Sequence, residues 1–228
     1  MTRRTNSTVA GVTYLLYIAV AFPAMVLFGK ATGGEGVARP LPIIAQHVGE
    51  LRVTVLLGVV SSFCALVLAV TLYGITRDED RELAMLAFAC RVGEGLVGAV
   101  PLTTLGLVWL ATNIGPTAPD AATAQGLAAL LLKVGDWQTT TSALLFAVGS
   151  TIFSFLLLRG RIIPAPIAWL GVVGSALPVI TLTIQLTGAL TGPITNLAWI
   201  PVAVFELTVA FWLIVKGAAA PAARSRSV

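Results

Sequence analysis

The sequence predicts an all-α fold, a polytopic membrane bundle of about six transmembrane helices, and three observations carry that prediction. Only 11% of the 228 residues are charged and 57% are hydrophobic, whereas a water-facing domain usually carries about 25% charged residues. Six apolar runs are each long enough to cross a hydrocarbon core of about 30 Å at about 1.5 Å per residue. The links between these runs hold most of the Lys and Arg, as loops at a membrane surface do.

The runs are Val9–Phe28, Val53–Ile75, Leu83–Ala111, Trp137–Leu158, Ile167–Gly188 and Ala198–Val215. The first follows Arg3 and Arg4 in the manner of a signal peptide. It is longer than an h-region of about 7–15 residues and no small-x-small cleavage site follows it, so it reads as a retained helix. Cys64 and Cys90 fall inside apolar runs and read as small packing residues. With His47 as the single histidine, no cluster has zinc-ligand spacing and no metal is expected. The net charge of +4 belongs to short loops, so no nucleic-acid partner is expected.

Topology follows from counting cations on each side. With the N-terminus inside, that side holds Arg3, Arg4, Arg77, Arg81, Arg159, Arg161, Lys216, Arg224 and Arg226, against Lys30, Arg39, Arg52 and Lys133 outside. Nine against four places both termini in the cytoplasm. Residues 1–217 form one transmembrane domain and 218–228 a short, disordered, basic cytoplasmic tail. Two links on the outer side are amphipathic and predict short interfacial helices. They are Leu41–Arg52, with Ile44, Val48 and Leu51 in register, and Gln125–Val134, with Leu127, Leu130, Leu131 and Val134. Pro23, Pro101, Pro178 and Pro201 lie in or at the ends of apolar runs, where kinks at Pro101 and Pro201 would help open a cavity.

Charge inside the membrane is the most informative feature. Arg91 and Glu94 lie in the third run and Glu206 in the sixth, each roughly 12–16 Å from the cytoplasmic side by residue count. Ionised groups at that depth cost at least about 2.5–3.5 kcal/mol and face protein or water. Arg91 and Glu94, three apart, share one helix face, and a contact with Glu206 would bring the third and sixth helices together. Tyr17, Ser61 and Ser62 fall near the same layer. The cluster is either an ion-paired clamp between helices or a site that binds a polar group or relays protons. A second polar group, Asp136, Trp137 and Gln138 with the hydroxyls that follow, marks the outer mouth of the fourth helix. Asp136 reads as its N-cap and Trp137 as an interface aromatic, and a hydroxyl-lined vestibule is the alternative.

Several stretches resemble the bacterial membrane-protein family known as the domain of unknown function numbered 4386. They are Arg91-x-x-Glu94 within Phe88–Leu96, Arg161-Ile-Ile-Pro164 leading to Trp169-Leu-Gly171, and Phe205-Glu206-Leu207 followed by Trp212-Leu-Ile-Val-Lys216-Gly217. Asp136-Trp137 is similar to that family's fourth-helix start. The resemblance implies a six-helix fold in a bacterial inner membrane, with Arg91, Glu94 and Glu206 as family features, and it brings no activity, so any cofactor stays unknown. Three functional classes stay open. The first is a membrane protein binding a lipid, small molecule or partner through the Arg/Glu cluster. The others are a proton-coupled or facilitated transporter of a small solute and an intramembrane enzyme using a carboxylate pair. The missing phosphate loop and missing nucleophile–histidine pair argue against an enzyme. Partners are the bilayer and a small-molecule or lipid ligand, and an oligomer is compatible with the sequence.

Overall fold

The structure is a computed structural model that describes residues 2–33, 39–99, 101–113, 118–188 and 197–219. Among the described residues it is all helix: α1 Arg3–Thr32, α2 Leu41–Ala45, α3 Val48–Thr76, α4 Arg81–Ala99, α5 Leu102–Thr112, α6 Ala121–Arg159, α7 Ala165–Leu186 and α8 Trp199–Val215. Five elements, counting Arg81–Thr112 as one, are long and apolar enough to cross a membrane. The 17 residues of α8 span roughly 26 Å, the short end of what crosses a bilayer. Phe22, Phe63, Leu96, Phe211 and Val215 stand exposed on the outside of the bundle. Such side chains suit hydrocarbon rather than water.

The spans close into a ring. α1 packs on α3, α3 on α4, α4 on α6, α6 on α7, α7 on α8, and α8 returns to α1. The last contact needs Gly11, because a Cβ there would lie 2.6 Å from the Ala210 carbonyl oxygen. Small residues let membrane helices approach this closely.

One end of the ring gathers the cations. Arg3 pairs with Asp78 at 3.5 Å, and Arg159 Nη1 donates to Asp80 Oδ2 at 3.1 Å. Arg4 donates to the Ile214 carbonyl at 3.0 Å, a cation on the last turn of α8 where the helix dipole favours one. The N-terminus, the α3–α4 turn, the α6–α7 turn and the end of α8 therefore share one end. Ala218 N–H donates to Ser7 Oγ at 3.0 Å and Ala219 N–H to the Ile162 carbonyl at 2.9 Å. The first two residues of the expected tail are thus tied to the bundle, and 220–228 lie outside the described residues.

At the opposite end the helices differ from the sequence expectation. α6 starts at Ala121, capped by Asp120, whose carboxylate accepts the N–H groups of Ala122 and Thr123. The segment Gln125–Val134 is therefore the first part of a 39-residue helix, not a separate interfacial one. Its buried side is Ala124 and Ala128, while Leu127, Leu130 and Val134 are exposed. Leu41–Arg52 divides between α2 and the first turn of α3, and Ile44 and Leu51 are fully buried against Ala31, Leu107, Leu110 and Ala128. The third apolar run is broken at Pro101, which ends up between α4 and α5. Pro201 lies in the first turn of α8, where no intrahelical bond is lost and no kink results.

Candidate functional site

Arg91 is the largest fully buried side chain in the molecule's described part, at 0% exposure, with Glu94 at 4% and Glu206 at 6%. α4 carries the first two. Arg91 Nη1 lies 2.9 Å from Glu94 Oε2, so the ion pair joins two positions of one helix rather than two helices. α4 and α8 are not packing neighbours, which corrects the expectation that Arg91 would bind the third span to the sixth. Glu206 stands within electrostatic range of Arg91 and Glu94 but forms no close ion pair with Arg91 among the described residues.

The link across the ring comes from α1. Tyr17 Oη donates to Glu94 Oε1 at 2.9 Å, joining helices that are not packed side by side. Tyr14, one turn earlier, is 3% exposed and sits in the same field of charges. The guanidinium carbon of Arg91 lies 4.7 Å from the Phe146 ring centroid and 5.9 Å from that of Tyr17, within cation–π range. Its aliphatic stem runs against Gly149, where a Cβ would meet Arg91 Cγ at 3.1 Å. α6 thus supplies the surface on which Arg91 lies. The spacing of Tyr14 from Tyr17 is a sequence signal for one face. Nothing in the sequence marks Phe146 or Gly149 as partners of a charge.

The donors of Arg91 are only partly used. Nη1 is spent on the 2.9 Å ion pair with Glu94, and Nε and Nη2 are buried without a protein acceptor. Glu206 Oε1 is likewise buried without a donor. A charged group normally enters a protein interior only with its hydrogen bonds met.

Of the remaining candidates, Ser61 and Ser62 lie on α3 and Asp136, Trp137 and Gln138 on α6. Ser62 donates to the Gly58 carbonyl of its own helix at 3.0 Å, and Ser61 Oγ is buried with no partner. Asp136 sits in the interior of α6, sixteen residues after its true cap, so it caps nothing. Trp137 is exposed, with Lys133 Nζ 5.7 Å from its ring centroid. Gln138 Nε2 donates to the Val97 carbonyl at 2.7 Å, tying α6 to the end of α4. Thr140 and Thr141 donate to the carbonyls of Asp136 and Trp137, so those hydroxyls serve their own helix rather than a vestibule. The two pockets that stand out lie at the basic end and do not border the charged layer.

A model of the domain of unknown function DUF4386 matches residues 9–217, from the first span to the close of α8. The chain belongs to the DUF4386 family. That match covers the buried Arg91–Glu94 pair, Glu206 and every described helix that makes the ring. No curated protein and no solved structure matches the chain.

Proposed function

We propose that this DUF4386 member binds a small molecule or lipid bearing a polar, acceptor-rich group at the Arg91–Glu94–Glu206 layer, in the membrane that encloses a bacterial cell. The observation that supports the reading is the guanidinium of Arg91, fully enclosed, with Nη1 on Glu94 but Nε and Nη2 lacking a protein acceptor. A clamp built for stability alone would direct those donors onto its carboxylates. Arg91 is fully buried, so in this reading a ligand reaches it when neighbouring helices part. The break at Pro101, which frees the end of α4 from α5, is the hinge in this reading. Proton-coupled transport is the second reading. It draws on Tyr17, Glu94 and Glu206, three titratable groups around a single guanidinium.

The test compares the purified full chain with Glu94→Gln and Glu206→Gln, which keep shape while removing the titrating group. Native mass spectrometry reads co-purifying species, and a pH-sensitive dye in vesicles reads proton flux. Loss of a bound species in both variants supports binding, and loss of pH-dependent flux supports transport. If both survive while thermal stability falls, the layer is a helix clamp.

A further inference from the structure

Two of the sequence stretches singled out above, Arg161-Ile-Ile-Pro164 and Trp212 to Gly217, are some fifty residues apart in the chain. They line one pocket of about 480 Å³ at the basic end of the ring, away from the buried charge layer. Ile162, Ile163, Trp212 and Ala218 give it an apolar lining, and Arg161 and Lys216 add two cations. No acid lines it, and neither cation has an acidic partner among the described residues.

The backbone around Arg161 sharpens the point. Arg161 N–H bonds the Leu158 carbonyl at 3.1 Å and Ile162 N–H the Leu157 carbonyl at 3.0 Å, the double bond pattern that closes a helix through one left-handed residue. Glycine usually holds that position, because a side chain there is strained. Here Gly160 stands one residue too early and Arg161 takes φ 50°. Stability alone favours glycine at 161, whereas the arginine brings a charge to the pocket. After α8 a left-handed residue follows too, Gly217 at φ 78°, and beyond it Ala218 and Ala219 form another wall.

Two cations without an acidic partner among the described residues, over an apolar lining at the level where the spans end, match the two halves of an anionic amphiphile. We infer that this pocket seats the headgroup of an anionic phospholipid, with its phosphate on Arg161 and Lys216 and its glycerol and upper acyl carbons along Ile162, Ile163 and Trp212. The site is independent of the Arg91 layer and does not need that layer to bind anything.

Native mass spectrometry of the full chain in detergent, titrated with phosphatidylglycerol or phosphatidylcholine, tests it. The wild type is expected to hold phosphatidylglycerol more tightly than phosphatidylcholine. The double variant Arg161→Gly, Lys216→Gln should hold it roughly 10–30-fold more weakly, as expected for removing two cations near a membrane surface. Glycine at 161 suits the backbone, so the double variant should melt no lower than the wild type. The single variant Lys216→Gln, at an exposed position, should show an intermediate loss and covers the case in which the double variant folds poorly. The pair Arg77→Gln, Arg81→Gln removes equal charge from the same end outside this pocket and should bind as the wild type does. Equal lipid affinity in the wild type and the pocket variants overturns the site. An equal loss in the Arg77, Arg81 control overturns it too, because diffuse surface potential would then explain the binding. Displacement of the lipid by millimolar inorganic phosphate overturns the lipid assignment in favour of a soluble anion.

Discussion

Tyr17 on α1 donates its hydroxyl proton to Glu94 on α4 at 2.9 Å, although the two helices are not packed against each other. The bond reaches across the ring and holds Oε1 of the carboxylate, while Arg91 pairs with Oε2. Tyr17→Phe removes it while keeping the ring that lies near the guanidinium. Interhelical hydrogen bonds in membranes contribute about 0.6 kcal/mol on average and up to about 1.7 kcal/mol, and the charged acceptor puts this one toward the upper end. Thermal unfolding in detergent should show Tyr17→Phe destabilised on that scale. An unchanged melting temperature would mean the bond is not formed in solution.

Arg91→Met leaves Glu94 and Glu206 buried together without their cation. Breaking a buried pair in this way costs roughly 3–5 kcal/mol. Adding Glu94→Gln and Glu206→Gln to Arg91→Met should restore much of that loss, because no charge is then left uncompensated. With the Glu94→Gln, Glu206→Gln protein and the wild type, the four melting curves form a cycle, and simple additivity would show that Arg91 does not interact with the two acids.

The approach of α1 to α8 predicts a contrast between glycines. Gly11→Val must push the Ala210 carbonyl aside, and overpacking of this kind costs typically about 1–3 kcal/mol. A Cβ at Gly58 meets nothing within 4 Å, so Gly58→Ala should be neutral or stabilising by up to about 1 kcal/mol. Folded yield and melting temperature of the two variants check it, and equal effects would contradict the packing.

Asp80 makes the basic end sensitive to acid. Its carboxylate accepts the Leu83 N–H and the Arg159 guanidinium, each at 3.1 Å. The backbone bond first and Arg159 second hold its pKa below the usual carboxylate value. A depressed pKa means that the contribution is complete above the ordinary Asp value of about 3.9 and fades as pH falls through the lowered one. The wild type should therefore be more stable than Asp80→Asn at neutral pH, with the gap narrowing toward pH 3. A gap independent of pH would point to shape rather than charge.

Reporter fusions after Lys216 and within Asp78–Asp80 should read the same side, the cytoplasm, and a fusion at Gly34 the other side. The basic end, which carries Arg3, Arg4, Arg159, Arg161 and Lys216, motivates the assignment. An external reading after Lys216 would remove the six-span topology.

The sequence by itself determined the membrane class, the spans and the three buried charges. Each of these is a local property: a run of about 20 apolar residues crosses a bilayer whatever its neighbours are, and an ionised group inside such a run stands out at once. Counting residues also put Arg91, Glu94 and Glu206 at one depth, since rise along a helix is fixed. Lateral order is different, because every span here is apolar on most faces and hydropathy says little about which helices touch. Where α6 begins depended on Asp120 receiving two N–H groups, a capping role that Asp136 matched equally well by residue type. That Arg91 lies on Phe146 and near Tyr17 was decided by close approaches between helices, such as the one at Gly149. Those approaches depend on the shape of the partner surface, and shape exists only once the ring has closed.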